Sequence, residues 1–215
     1  MRYPLIRSLL CAIAALALLA GCASEPVRPL TPLTGVSIGV AGAVQPTGTV
    51  DLLAGYIPEQ RELASDEALL AFDEAMLSMI RTNADPARSI VSVPRAHVKE
   101  SSQKAAGQNT ALTRWVETAR AAGVDLLIVP QILFWHDRQG GPMGAVTSAD
   151  VFIQFYLIDA KAGTLLARSV FNEKQQSLAG DLLQAPIFFR RGGKWLTAQE
   201  LANEGIMKMI KEFGL

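Results

Sequence analysis

The chain has few of the residues on which most recognisable enzyme chemistry depends. It holds two cysteines and two histidines in 215 residues. A catalytic or zinc-bound histidine would have to be His97 or His136, which lie 39 residues apart. No HExxH and no paired-cysteine spacing is present, so the usual zinc signatures are excluded. No serine stands in a GxSxG elbow. Gly192-Gly193-Lys194 is no phosphate loop: Phe188 occupies the first glycine position and Trp195 the place of the magnesium-binding Ser or Thr. Gly35, Gly39 and Gly42 do not form GxGxxG; close packing of a first strand accounts for them. No cofactor and no metal is expected. An excess of either charge is also missing, with 20 basic and 20 acidic side chains. That balance offers nothing for bulk electrostatic binding of nucleic acid.

What is present begins with the N-terminus. Arg2 and Arg7 form a short positive head, and Leu9 to Ala20 is a run of twelve apolar residues. That length suits the core of a signal peptide and is short of the ~20 residues a spanning helix needs. The run closes in Leu19-Ala20-Gly21-Cys22, which resembles the bacterial lipobox: an aliphatic residue, two small ones, then the cysteine that receives diacylglycerol. An ordinary signal peptide or an uncleaved anchor ending in cysteine is the alternative. The expected division is a lipoprotein signal peptide over 1–21, a lipidated tether over 22–34 and one domain over 35–215. Cleavage before Cys22 removes Arg2, Arg7 and no acid, leaving 18 basic against 20 acidic groups, about −2. It also removes Cys11, so the mature domain has no thiol besides the acylated Cys22, which fits an oxidising compartment. Several acyl chains, palmitate among them, contribute roughly 0.8 kcal/mol per buried CH₂ and make attachment effectively permanent. By the same resemblance, Ala23 is not the aspartate that retains such proteins in the inner membrane. The outer membrane, periplasmic face, is the expected location.

Residues 23–34 (ASEPVRPLTPLT) carry three prolines and no helix or strand period, and read as an extended tether. From there the composition is globular, half apolar with 19% charged residues, and long enough to bury a core without disulfides or metal. Residues 35–44 (GVSIGVAGAV) predict a buried first strand, and 45–64 an irregular stretch. A helix is expected over about 66–82, capped by Ser65, with Asp66 and Glu67 at its positive end. Leu69, Phe72, Met76, Met79 and Ile80 make its apolar stripe. Residues 89–93 predict a short strand, and 95–108 are polar and undecided. Leu112, Trp115, Val116 and Ala119 mark a second helix stopped by Gly123. Residues 125–135 (DLLIVPQILFW) read as a central strand with a bulge or ladder end at Pro130. A loop over 136–149 and a hairpin of 151–158 with 164–171 around Asp159 to Gly163 follow. Residues 173–185 are a short helix or irregular. Thr197 and Glu200 form a capping box for a last helix to Phe213. The fold class is therefore α/β (α+β): one domain, a mixed sheet of about five strands covered by about three helices.

Two segments stand out as candidate contacts. Phe188, Phe189, Arg190, Arg191 and Trp195, with Lys194, interleave three aromatics with three cations around a glycine pair. Exposed aromatic and arginine side chains are frequent anchors of protein contacts; lipid head groups or acidic glycan are other takers. The alternative is that the aromatics pack inward as a staple before the last helix while the cations are merely solvated. His136, Asp137 and Arg138 follow the long apolar strand, where sites often lie. A solvated turn is the alternative there, because adjacent strand residues point to opposite faces.

The strand GVSIGVAGAV, the helix near 66–82, VDLLIVPQILFW after a helix ending in Ala-Ala-Gly, and FIQFYLIDAKAGTLL as strand–turn–strand together resemble small α/β lipoproteins. These are the relatives of the curli-secretion lipoprotein and of the penicillin-binding-protein activator lipoproteins. KWLTAQELANEG is similar to uncharacterised lipoproteins of this type. The resemblance covers most of 35–213 and brings no catalytic residues. It implies a non-enzymatic, membrane-anchored envelope protein that binds or assembles with another envelope protein or with copies of itself. An oligomeric secretion-channel component and a cell-wall- or lipid-acting enzyme are the alternatives. A curli-type pore needs two long amphipathic hairpins; this chain offers at most one, over 131–158, with strands apolar on both faces.

Overall fold

The computed structural model describes residues 35–98, 110–175 and 185–215. The expected export segment, Cys22, the expected tether, most of the polar 95–108 stretch and most of 173–185 lie outside the described residues. The elements run β1 (Ser37–Ala41), a 3₁₀ turn (Thr49–Asp51), α1 (Asp66–Asn83), β2 (Ser89–Val93), α2 (Ala111–Ala121), β3 (Leu126–His136), β4 (Gln139–Gly141), β5 (Gly144–Thr147), β6 (Asp150–Asp159), β7 (Thr164–Lys174), α3 (Ala185–Arg190) and α4 (Ala198–Phe213).

Five strands form one mixed sheet in the order β2-β1-β3-β6-β7. β2 and β3 flank β1 in parallel, and β6 and β7 continue antiparallel from β3. The expected class and strand number hold, with a two-stranded β4–β5 sheet in addition. That hairpin corrects the loop expected over 136–149. β1 is also shorter than expected, and β7 runs three residues further, to Lys174.

The period of two on β3 and β6 sorts the core into two layers. Leu126, Ile128, Ile153, Phe155 and Leu157 face α1 and α4, which cover one side. Leu127, Val129, Tyr156 and Ile158 face α2 on the other. Both central strands are therefore buried on both faces, which is why they read as unbroken apolar runs. Pro130 falls where the β1 ladder stops after Val40↔Ile128, so its missing N–H breaks no ladder bond. Its carbonyl takes the Val44 N–H at 3.2 Å.

The helix ends follow the local rules. The Ser65 hydroxyl accepts from Ala68 N, and Thr197 with Glu200 forms the full capping box. Gly123, at φ +68°, takes the left-handed position after α2. The outer edge of β7 is guarded by Lys208, whose ammonium reaches across from α4 to the Val170 carbonyl at 2.6 Å.

β3 sets an axis. Its eleven residues extend about 35 Å. At the proximal end lie Ser37, where the described chain begins its first strand, and the Asp159–Gly163 turn; Asp125 N donates to Ser37 O at 3.1 Å. At the distal end lie His136, the β4–β5 hairpin, Lys174, α3 and the start of α4.

Candidate functional site

The two candidate segments, far apart in the chain, meet at the distal pole. Arg138 Nη1 donates to the Trp195 carbonyl. The Asp137 carboxylate accepts from its neighbour Arg138 N at 2.8 Å and from Ala198 N at 2.9 Å, at the first turn of α4. Negative charge there is favoured by the helix dipole. Trp195 N donates to Pro142 O in the hairpin turn at 2.8 Å.

Gln175, which the sequence reading passed over, completes the clamp. It is buried at the end of β7; its amide donates to Lys194 O at 2.8 Å and accepts from Leu196 N at 2.7 Å. Nothing local in the sequence marks this role, because its partners are 19 and 21 residues away.

Within 188–195 the side chains divide between the interior and solvent. Phe188 is half-buried and meets Trp195 edge-on, with ring centroids 6.1 Å apart. Phe189 projects outward at 68% exposure, and Arg190 is exposed beside it. Arg191 is not a solvated cation: its side chain is 9% exposed and bridges Glu204 at 2.6 Å and Glu173 at 3.2 Å. Burial pulls its pKa down, and the bonds to Glu204 and Glu173 more than restore it, so the guanidinium stays charged. Lys194 pairs with Glu200 at 2.7 Å.

His136 lies at the centre of a second polar group. Its Nδ1 is 2.7 Å from Glu62 Oε2 and its Nε2 3.1 Å from Thr147 Oγ1. Asp150 pairs with it across β3 and β6, and Lys174 with Asp150 across β6 and β7. Burial raises the Asp150 pKa, against the pull of Lys174 and His136. His136, Thr147, Asp150 and Lys174 line a cavity of about 400 Å³ together with Phe134 and Val146. Glu62 and Thr147 were not singled out from sequence, since each lies in an irregular or glycine-rich stretch. Asp137 turns away to α4, so His136 and Asp137 do different work. Among the described residues no group of three or more His, Cys, Asp and Glu could hold a metal ion.

The hairpin supplies the pole's most exposed apolar side chains. Met143 is 87% exposed and Val146 85%. Gly140 adopts φ +106°, and a Cβ there would stand 2.7 Å from the Gly144 carbonyl, so the tight turn demands glycine.

No protein-family model matches the sequence, and no curated protein sequence matches it. Solved structures similar to the chain include the PelC dodecamer from Paraburkholderia phytofirmans, at 14% identity over 86% of this chain and 93% of that one, TM-score 0.48. Lipoprotein GNA1162 from Neisseria meningitidis is similar at 15% identity over 73% and 96%, TM-score 0.38. The LpoB C-terminal domain from Salmonella enterica is similar at 14% over 75% and 92%, TM-score 0.35. At this level of likeness the function rests on the chain's own residues.

Proposed function

We propose that the chain is an outer-membrane lipoprotein, held on the periplasmic face by acyl chains on Cys22, and that it serves as a non-enzymatic binding or assembly module of an envelope complex. The lipobox and the absence of any other thiol from the mature domain support the anchoring. The observation that carries the binding role is the junction of Arg138 with Trp195. It fuses two candidate contact segments into one pole that presents exposed apolar and aromatic side chains. Phe189 and Arg190 are turned to solvent there, beside Met143 and Val146 of the hairpin. Arg191, Trp195 and Asp137 hold it in shape.

The anchoring is tested by the mass of the protein purified from its own membranes. A mature chain beginning with acylated Cys22 is expected; an unacylated chain, or one that keeps Met1, overturns it. The binding role is tested by cross-linking in intact cells followed by mass spectrometry. Phe189→Ala with Arg190→Ala is expected to cut partner recovery while melting temperature stays constant; unchanged recovery removes the pole from the reading.

One observation favours a second reading, a hydrolase acting on cell wall or lipid. Thr147, His136 and Glu62 stand in the order hydroxyl, imidazole, carboxylate at 3.1 and 2.7 Å, the order of an acyl-transfer relay. On that reading both His136→Ala and Thr147→Ala abolish cell-wall hydrolysis by the purified protein.

A further inference from the structure

We infer that the distal pole engages its partner through an apolar knob, made of Met143 and Val146 on the β4–β5 hairpin and Phe189 on α3, and that the partner is another protein with an apolar cleft. This rests on the reading of the chain as an envelope binding module.

The hairpin and α3 are one surface because Trp195 joins them. Its N–H holds Pro142 O at 2.8 Å, and its ring meets Phe188, which in turn meets Phe189 with centroids 6.0 Å apart. Large apolar side chains gathered in this way mark a contact site; scattered single ones do not. The knob is also held in place before it meets anything. Thr147 at the base of β5 is bound to His136, and Arg138 and Gln175 fix the backbone on either side of Trp195. Little ordering remains to be done on binding, which favours a specific contact.

Charge decides between a protein and a bilayer. Attraction to anionic lipid depends on unpaired cations at the surface. Here Arg191 is spent on Glu204 and Glu173, and Lys194 on Glu200. Arg190 projects as well, but one exposed cation falls short of the cluster of about four to eight that recognises anionic lipid; the rest of what projects is Met, Val and Phe. The thirteen residues from Cys22 to Thr34 reach at most about 45 Å and join β1 at the proximal end. A chain anchored at Cys22 is tied at that end, and the knob lies about 35 Å from the tie, a β3 length away.

The test places a photo-cross-linking amino acid at 143 and at 189 of the full-length protein in its own cells, with position 166 on β7, exposed at the proximal end, as the control. The expected result is one adduct of common mass from 143 and 189, absent from 166. Its cross-linked partner peptide is apolar. Met143→Asp should reduce the adduct formed from 189 by about tenfold with circular dichroism and melting temperature unchanged. Adducts from 143 and 189 with lipid only, with a second copy only, or with nothing overturn the knob. If 166 captures a protein while 143 and 189 stay silent, the knob is wrong and the binding-module reading stands. If no position captures a protein and Cys22 is unacylated, both are wrong.

Discussion

Asp137 and Ala198 lie 61 residues apart in the chain, and the Asp137 carboxylate accepts the Ala198 backbone N–H at 2.9 Å. One side chain at the end of β3 thereby sets where α4 begins, and with it the position of Trp195. Asp137→Ala leaves that N–H without its acceptor and removes a charge from the positive end of the helix. The capping box of Thr197 and Glu200 remains, so the loss is about 1 kcal/mol and not the whole helix start. Thermal unfolding should show a drop of about 2–4 °C. An unchanged melting temperature would show that the capping box suffices alone.

Gly205 is where α4 meets β7. A Cβ at that position would lie 2.8 Å from the Phe171 ring. Gly205→Ala gains about 1 kcal/mol of helix propensity but forces Phe171 aside in a packed layer, at about 1–3 kcal/mol. The net expectation is destabilisation by about 1 kcal/mol. The same substitution in a Phe171→Leu background should be neutral or stabilising. A double-mutant cycle in urea measures the coupling, and additive effects would disprove the contact.

Three carboxylates give the pH dependence. Hydrogen bonds from the Ser37 hydroxyl and backbone hold Asp125 below the usual carboxylate range, and bonds from Lys194 and Thr197 do the same for Glu200. A depressed folded-state pKa means stability that is present above the unfolded value and is lost as pH falls through the folded one. Asp150 runs the other way. Burial raises its pKa, so it opposes folding at neutral pH, and this cost disappears as pH drops through the folded value and is absent below the unfolded one. Melting curves from pH 7 to pH 3 should therefore show less acid destabilisation in Ser37→Ala than in the parent. Asp150→Asn should remove the opposing contribution and steepen the loss of stability on acidification.

Much of the framework was legible in the chain because its signals are local. Ser65 and Thr197 announce the two longest helices by capping chemistry that spans three residues. The apolar run at 126–135 has no alternation because β3 is covered on both faces, and that absence of a period was itself the sign of a central strand. The distal pole was legible only in pieces. The hairpin from Gln139 to Thr147 contains three glycines and a proline, which reads as a loop, and its pairing depends on turn geometry at Gly140. Which of Phe188 and Phe189 turns outward is settled by Trp195, Arg138 and Gln175, side chains brought together by the sheet. No window of sequence contains that information.

His136 offers the sharpest test of how the pole is built, because it ties the hairpin to the sheet through Thr147 and the preceding loop through Glu62. Removing the ring in His136→Ala deletes both ties while leaving β3 and β6 paired, since their register runs on through Trp135↔Val151. The hairpin should then open more often by itself. The lost hydrogen bond to the hairpin is worth about 1 kcal/mol, so amide exchange over 139–147 should speed up by roughly fivefold. Exchange in the interior of β3 and β6 should be unaltered. Thr147→Val, which keeps shape but loses the hydroxyl, should reproduce the change in the hairpin and leave the Glu62 loop protected. If exchange rises across the whole sheet instead, His136 is part of the global core and the hairpin is no separate unit of stability.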